Sequence, residues 1–361
     1  MSKLLNIQGL RGIAALLVVC FHLLPIEEKY GDGRVVLPDF FIHGMFGVDL
    51  FFVISGFIMV SITKGQFQHT SNALSFLYHR ASRIYPTYWF YSSLVLIFFL
   101  IRPEWVNSAQ GNHVNIISSF LLWPEETLPL INVGWTLIHE VYFYMVFSIL
   151  LICIPEKRLS IFLFIWGALV VFVNLYVVTD SSVIHLIAHP LTMEFIAGAL
   201  LAILYHKDSS WKFAVFLMVA SVLFSSILIL FNQSKFPSDW WRVGIYGTPA
   251  AAILYCLVIA ERRNIVFNKY LVKIGDASYS IYLLHILVLS AVGRVIYVLS
   301  SRTEFSIPNY ALLIVLLFCV IISGLISYRI IERPLLKISR KLYESIRTYK
   351  SNIKIKDDRL H

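Results

Sequence analysis

Long apolar segments recur along the whole chain, and they constrain its fold more than any other feature of the sequence. A helix needs about 20 mostly apolar residues to cross the hydrocarbon core of a bilayer. Inside lipid every backbone N–H and C=O must be paired, and a helix achieves this within one segment. The sequence therefore predicts an all-α, polytopic integral membrane protein with about ten transmembrane helices and no soluble domain. The candidate spans lie near residues 8–25, 43–62, 87–102, 135–154, 159–178, 188–206, 212–231, 243–260, 279–299 and 309–330.

Composition and charge agree with a membrane protein. Hydrophobic residues make up 58% of the 361-residue chain, against roughly 45–50% in soluble domains. When both termini are placed in the cytoplasm, most of the 30 lysines and arginines fall on inner segments, as the positive-inside rule requires. We therefore interpret the net charge of +9 as a topology signal and expect no nucleic acid partner. The expected location is the inner membrane of the cell, in contact with its lipids.

Two regions are predicted along the chain. A transmembrane domain covers residues 5–335, and a basic cytoplasmic tail covers residues 336–361. We expect the tail to lie on the anionic inner leaflet or to be disordered. The four cysteines all lie in apolar runs, without the spacing of a metal site, and we predict no metal.

Arg11 and His22 lie eleven residues apart in the first predicted span. Eleven steps of about 100° bring the two side chains to the same face of a helix. At 1.5 Å per residue, they are separated along the helix axis by roughly 16 Å. Ionisable groups are costly inside a membrane and usually mark a functional site there. We therefore predict that this face borders a polar cavity inside the protein.

Two carboxylates are candidates to assist His22. With the N-terminus in the cytoplasm, Asp49 falls at a depth similar to His22 in the outer half of the membrane, and Glu140 lies nearby on the fourth span. A histidine with a carboxylate partner is the usual arrangement for a general base. The sequence thus predicts that His22, Asp49 and Glu140 converge as a catalytic group. The alternative is that each caps a helix end or bonds to a neighbour.

Arg80 and Arg83 form a second cluster, in the segment between spans two and three. A spacing of three residues places both side chains on the same side of a helical turn. Because arginine binds phosphate through two parallel hydrogen bonds, the pair favours a phosphate-bearing ligand at the inner membrane face. The alternative is an ordinary positive-inside anchor.

Three further residues are candidate ligand contacts. Ser55 could line a cavity, although a serine beside a glycine in a span more often marks helix packing. Tyr282 and His285 lie three residues apart in the ninth span and face nearly the same way. The chain has no Walker A loop, no H-E-x-x-H and no G-x-S-x-G nucleophile motif, and it does not resemble an ATP-driven pump or a membrane metalloprotease.

Together these residues resemble the acyltransferase-3 family of membrane O-acyltransferases. The resemblance covers about residues 5–335 and depends on the order of the motifs as well as their content. In one motif, Thr136 stands where the family usually has serine. The matching elements are Arg11 with His22; Phe52 with Ser55 and Gly56; Arg80 with Arg83; Trp135 to Leu137 with Glu140; Tyr279 and Ser280 through His285; and Glu332 to Pro334.

The resemblance implies an enzyme that uses an acyl-CoA donor, usually acetyl-CoA. It implies His22 as the catalytic residue and Arg80 with Arg83 as contacts for the CoA phosphates. We assign Arg11, Ser55, Tyr282 and His285 to the donor site as well. The expected reaction moves an acetyl group from cytoplasmic acetyl-CoA to a hydroxyl of a cell-surface or lipid-linked glycan, such as the O-antigen of lipopolysaccharide.

Other functions remain open at this point. The same fold could acylate a small molecule, or could transfer a succinyl group. A different class of protein is a transporter that exports a sugar or an acylated product. In a transporter, Arg80 and Arg83 would only anchor the helix at the membrane surface.

Overall fold

The computed structural model describes residues 4–357, apart from residues 32, 34, 107–110, 208–209, 233, 235 and 303–306. The structure is 82% helical, and no strand occurs in these described residues. Ten helical segments within them are long and apolar enough to cross a membrane. The prediction of an all-α, polytopic membrane protein is therefore confirmed. The placement of the termini in the cytoplasm stays a prediction.

Fifteen α-helices are found in the described part of the chain, and four of them have eight residues or fewer. A 3₁₀ segment, Asp39–Met45, leads into the second helix, and two π-helical segments, Val243–Gly247 and Tyr328–Glu332, join helices later in the chain. The α-helices are α1 (Leu5–Tyr30), α2 (Phe46–Thr63), α3 (Thr70–Ile101), α4 (Ile116–Leu121), α5 (Gly134–Cys153), α6 (Leu159–Tyr176), α7 (Ser182–Ile187), α8 (Thr192–Lys207), α9 (Trp211–Phe231), α10 (Asp239–Arg242), α11 (Thr248–Glu261), α12 (Lys269–Asp276), α13 (Ser278–Arg302), α14 (Asn309–Ser327) and α15 (Arg333–Asp357).

The third span differs most from its prediction. The apolar run predicted a short span near residues 87–102, but α3 begins at Thr70 and contains Pro86 in its interior. The first half of α3 is polar, so a hydropathy window does not register it as part of the span. An interior proline removes one helical hydrogen bond and crowds the carbonyl group four residues earlier, but α3 continues through Pro86. As a result, Arg80 and Arg83 lie within α3 and not in a loop.

The basic tail begins as a helix. The π-helical segment Tyr328–Glu332 passes directly into α15, which packs against the polar half of α3. The hydroxyl of Tyr78 donates a hydrogen bond to the carbonyl oxygen of Ser339 at 2.8 Å. The rings of Tyr78 and Tyr343 stack with centroids 4.7 Å apart. The predicted position of this tail on the inner leaflet stays a prediction, and its residues 358–361 lie outside the described residues.

Two glycines let α2 and α8 approach each other closely. A Cβ atom on Gly56 would collide with the carbonyl oxygen of Phe195, and one on Gly198 would collide with that of Val53. Small residues at such contacts allow the backbones of two membrane helices to pack directly. Ser55, which precedes Gly56, faces an internal cavity instead. The packing role and the cavity role that the sequence left open are therefore divided between these two neighbours.

Helices α1 and α13 run parallel and in register. His285 contacts His22, and the ring of Tyr30 lies against Gly293. The second contact lies eight residues beyond the first on both helices, which requires that they point the same way. We call the side of the bundle where α1 begins the arginine side, and the side where α1 ends the histidine side.

Candidate active site

A cavity on the arginine side brings three guanidinium groups together. Arg11 comes from α1, and Arg80 and Arg83 come from α3. Glu140 of α5 and Ser55 of α2 line the same space. We call this space the arginine cavity. Its other lining residues are Val48, Phe51, Phe52, Ile54, Ile58, Ile84, Thr136, Leu137, Ser278, Tyr279 and Tyr282.

Glu140 and Arg80 are linked through Tyr144 in this cavity. Ser55 Oγ donates to Glu140 Oε1 at 3.2 Å, and the hydroxyl of Tyr144 donates to the same oxygen. The guanidinium of Arg80 lies 5.9 Å from the ring centroid of Tyr144, within cation–π range. Arg80 Nε is buried and has no hydrogen-bond partner among the described residues. Arg80 therefore retains at least one donor that no described residue uses.

A second carboxylate balances part of the remaining charge. Arg11 interacts electrostatically with Arg83, Glu332 and Glu140. Glu332 lies just before α15 and accepts a hydrogen bond from Ser280 Oγ at 2.5 Å. Three arginines against two glutamates leave an excess of positive charge in a confined space. Such a site attracts an anionic ligand.

His22 lines a separate pocket, nearer the histidine side. This pocket, which we call the histidine pocket, has a volume of about 300 Å³. Trp135 forms one wall, next to Asn132 and Val133 from the segment that leads into α5. None of the described residues that line this pocket carries a charged side chain. Its full lining is His22, Pro25, Ile26, Leu128, Asn132, Val133, Trp135, Ile286 and Leu289.

Hydrogen bonds fix the tautomers of His22 and His285. His285 Nδ1 lies 2.7 Å from the carbonyl oxygen of Tyr282, which can only accept, so Nδ1 carries the proton and Nε2 carries a lone pair. His22 Nδ1 lies 2.9 Å from the carbonyl oxygen of Val18 and 3.3 Å from His285 Nε2. Both of these partners are acceptors, so His22 Nδ1 carries the proton. The neutral ring of His22 therefore has its lone pair on Nε2, as a general base requires.

Three hydrogen-bonded residues separate the pocket from the cavity. The hydroxyl of Tyr282 lies 2.8 Å from Thr136 Oγ1 and 3.2 Å from the carbonyl oxygen of Val133. Tyr282 and Thr136 line the arginine cavity, and Val133 lines the histidine pocket. The single polar cavity predicted along α1 is thus two spaces with a thin partition. Arg11 and His22 do face the protein interior, as predicted, but on opposite sides of that partition.

The acyltransferase domain family matches the chain over residues 4–328. The chain belongs to this acyltransferase family. The match covers nine-tenths of the sequence and includes both the arginine cavity and the histidine pocket. The protein is therefore a multi-pass membrane acyltransferase.

Relatives of this acyltransferase include an exopolysaccharide production protein and an O-acetyltransferase. The chain is 30% identical over 316 residues to the exopolysaccharide production protein ExoZ of Rhizobium meliloti (strain 1021). This alignment covers 83% of this chain and 92% of ExoZ. It is 25% identical over 384 residues to the O-acetyltransferase OatA of Staphylococcus aureus (strain MRSA252). That alignment covers 96% of this chain and 59% of OatA. The chain thus spans less than two thirds of the length of OatA. No solved structure matches it.

The structure places Asp49 away from His22 in this acyltransferase. Arg242 holds Asp49 through two hydrogen bonds, from Nε to Oδ1 and from Nη2 to Oδ2, both at 2.9 Å. The Asp49 side chain is fully buried, and that of Arg242 is 13% exposed. Arg242 also lies 5.9 Å from the ring centroid of Trp135. The predicted contact between Asp49 and His22 is therefore wrong, because the Asp49 carboxylate forms a buried ion pair with Arg242 instead.

The predicted contact between Glu140 and His22 is wrong as well. Glu140 lies about one turn of α5 further toward the arginine side than Thr136, and it serves the arginine cavity. His22 is oriented by the imidazole of His285, which the sequence assigned to the donor site. His285 is fully buried and lines neither space. The other predicted donor residues, Arg11, Ser55, Arg80, Arg83 and Tyr282, do line the arginine cavity together.

Sequence reasoning missed three residues that shape the site. Arg242 follows two tryptophans at the edge of an apolar run, and this position is a signal of an anchored arginine. Tyr144 is one helical turn from Glu140, and this spacing predicts a contact. Asn132 lies in a loop, where no periodicity marks it.

Proposed function

We propose that this acyltransferase moves an acetyl group from cytoplasmic acetyl-CoA to a hydroxyl of a cell-surface or lipid-linked glycan, with His22 as the general base. The observation that carries the proposal is the pair of spaces along α1. One is cationic and suits the phosphates of CoA, and the other is uncharged and holds a histidine with a defined lone pair. The arginine side then faces the cytoplasm of a cell inner membrane, in agreement with the positive-inside rule.

The arginine cavity supplies the donor site. Arg80 and Arg83 contact the phosphates of CoA, since guanidinium groups match phosphate oxygens in a bidentate fork. Glu140 and Ser55 hold this end of the cavity in shape, and Arg11 adds charge further along α1. Helical rise separates Arg11 from His22 by roughly 16 Å, a distance that the extended pantetheine arm bridges. The thioester then lies near Tyr282, at the partition.

The histidine pocket supplies the acceptor site and the base. An acceptor hydroxyl gives its proton to His22 Nε2, and its oxygen attacks the thioester carbonyl carbon. The C–S bond then breaks, and the imidazolium returns the proton to the CoA thiolate. Atoms balance as glycan hydroxyl plus acetyl-CoA giving glycan acetate plus CoA. His22 Nδ1–H keeps its acceptors, Val18 O and His285 Nε2, throughout the cycle.

The names of two relatives support the chemistry. OatA is an O-acetyltransferase and ExoZ is an exopolysaccharide production protein, which together favour acetyl transfer to a polysaccharide hydroxyl. The excess of arginine in the cavity favours a donor with several phosphates. No cluster of metal-binding side chains occurs in the described residues, and the proposed steps need none.

A test of sidedness examines the proposal directly. Membrane vesicles that carry the protein are prepared inside-out and right-side-out and supplied with acetyl-labelled acetyl-CoA. We expect alkali-labile label on the glycan fraction of inside-out vesicles only, with release of one CoA per acetate. Movement of a sugar or acylated product across the vesicle membrane without release of CoA would instead identify a transporter. Labelling of a soluble small molecule in place of the glycan would point to the other acceptor class.

A further inference from the structure

Two side chains of the histidine pocket carry hydrogen-bonding groups that no described residue uses. The indole of Trp135 and the side-chain amide of Asn132 both line the pocket with His22. Among the described residues, neither Trp135 Nε1 nor the Asn132 amide forms a hydrogen bond. A polar group away from bulk water needs a partner, because an unpaired one costs free energy. The pocket therefore suits a ligand that brings hydroxyl groups.

A tight turn before α5 places these two side chains together. The backbone N–H of Trp135 donates to the carbonyl oxygen of Asn132 at 3.4 Å, and that of Thr136 donates to the carbonyl oxygen of Val133 at 3.3 Å. Side chains three residues apart on such a turn point the same way. Val133 lies between them, and its carbonyl oxygen accepts the hydrogen bond from Tyr282 at the partition. A ligand held by Asn132 and Trp135 therefore lies beside the proposed position of the thioester.

Neighbouring side chains hold the indole ring of Trp135 in place. His139 Nδ1 lies 3.0 Å from the carbonyl oxygen of Trp135, and the two rings are nearly perpendicular with centroids 5.6 Å apart. The guanidinium of Arg242 lies 5.9 Å from the indole centroid. A fixed tryptophan provides a broad contact surface at a low cost in conformational entropy. Its electron-rich face attracts the polarised C–H bonds of a sugar ring.

The charges around the pocket favour a neutral sugar. The described lining of the pocket is uncharged. Next to Trp135, Arg242 forms two hydrogen bonds to Asp49 and also interacts with Glu194, so this arginine offers no uncompensated positive charge. A carboxylate that enters such a pocket loses its hydration and gains no cation in return. Sugars that carry a carboxylate should therefore bind poorly.

We propose that the histidine pocket binds one neutral pyranose ring, stacked on Trp135 and hydrogen-bonded by Asn132, with one of its hydroxyls at His22 Nε2. The volume of about 300 Å³ lies at the lower end of the range of roughly 300–1,000 Å³ for ligand pockets, which suits one sugar ring better than several. The inference rests on the proposed function. It names the class of the acceptor sugar and two residues that select it.

Protection of His22 tests the pocket without acetyl transfer. In purified protein, diethyl pyrocarbonate modifies neutral imidazole rings, and the modification of His22 is followed by peptide mass spectrometry. The probes are the methyl glycosides of glucose, glucuronamide and glucuronic acid, which share one ring. We expect the two neutral glycosides to protect His22 at concentrations about 10-fold lower than the glucuronic acid glycoside. Equal protection by all three, or protection by none, would overturn the proposal.

Substitutions of Trp135 test the stacking surface. Trp135→Phe keeps an aromatic face and should weaken protection by the glucose glycoside roughly 3-fold, through loss of one hydrogen bond. Trp135→Leu keeps an apolar wall without that face and should weaken protection about 10-fold. Trp211→Leu is the matched control, because Arg263 lies 5.0 Å from the Trp211 ring centroid and Trp211 lines neither space. Wild-type protection in Trp135→Leu would show that this side chain only fills the wall.

Substitutions of Asn132 test the hydrogen bonds and the charge selection. Asn132→Leu removes the amide and should weaken protection by both neutral glycosides roughly 3- to 10-fold. Asn132→Lys adds a cation to the pocket, and the glucuronic acid glycoside should then protect better than the glucose glycoside. An unchanged order of the three probes in Asn132→Lys would refute the selection by charge.

Acetyl transfer separates this inference from the proposed function. With a neutral glycan as acceptor, Trp135→Leu should raise KM for the glycan about 10-fold and leave KM for acetyl-CoA unchanged. A general loss of structure would not give this split. An unchanged KM for the glycan would contradict the sugar contact at Trp135. If the wild type acetylated no glycan, the proposed function would be wrong, whereas protection of His22 by the neutral glycosides would still support the sugar pocket.

Discussion

The arginine cavity and the histidine pocket place polar groups inside a membrane protein by different means. The cavity holds full charges, and it balances Arg11, Arg80 and Arg83 with two glutamates. The pocket holds no charge, and its histidine is satisfied by a backbone carbonyl and a second imidazole. Fixed charge suits the recognition of an anionic donor, whereas a neutral histidine suits proton transfer. The thin partition at Tyr282 keeps these two environments apart within one short path.

The largest expected effect is on the histidine pocket. His22→Ala removes the proposed base, and general base catalysis is typically worth about 10²–10⁴-fold. We expect acetyl transfer to fall by at least the lower of these factors while KM for acetyl-CoA stays close to wild type. The measurement is labelled acetate on glycan in inside-out vesicles, at matched protein levels.

A matched control accompanies this variant. His69 is exposed at the start of α3 and outside both spaces, so His69→Ala should retain full activity. If His22→Ala also retained activity, the assignment of the base to this residue would be wrong.

The next effect concerns the arginine cavity and should appear in binding rather than in turnover. A hydrogen bond to a charged group contributes about 1.5–3 kcal/mol, so Arg80→Ala and Arg83→Ala should each raise KM for acetyl-CoA roughly 10- to 100-fold. Arg158→Ala provides the control, because Arg158 is an exposed arginine outside the cavity. A fall in kcat with KM unchanged would contradict a role in donor binding and would show that these arginines act in the chemical step.

A smaller effect is expected at the contact between the two imidazoles. His285→Leu removes the acceptor of His22 Nδ1–H, and a neutral hydrogen bond is worth about 0.5–1.5 kcal/mol. We expect kcat to fall roughly 3- to 10-fold with little change in KM. His285→Gln can place an oxygen near the position of Nε2 and should restore much of the rate. Equal losses in both variants would indicate that His285 only fills space.

The sequence predicted the transmembrane spans and the residues that line the arginine cavity better than it predicted which side chains contact each other. Apolar length and helical periodicity are local properties, so the ten spans and the shared face of Arg11 and His22 could be read directly. Partners depend on which helices become neighbours. His22 contacts His285, which lies 263 residues away along the chain, and Asp49 pairs with Arg242, which lies 193 residues away. No local sequence pattern encodes either contact. The start of α3 was missed for a local reason, because its charged first half hides a helix from a hydropathy window.

The smallest effect on chemistry, and a large one on stability, is expected at Asp49. Asp49→Asn breaks a buried ion pair, a change that typically costs about 3–5 kcal/mol, and leaves Glu194 as the carboxylate that still interacts with Arg242. The variant should unfold at a lower temperature in detergent, and its folded fraction should keep kcat within about 3-fold of wild type, since Asp49 does not touch His22. Asp180→Asn, an exposed site on the same side of the bundle, should change neither. Replacing both partners, as in Asp49→Leu with Arg242→Leu, should recover part of the lost stability, because apolar pairs can substitute for buried ion pairs. If Asp49→Asn folded normally but lost acetyl transfer, the Asp49 carboxylate would take part in proton transfer in the histidine pocket. That result would contradict a purely structural role for the ion pair between Asp49 and Arg242.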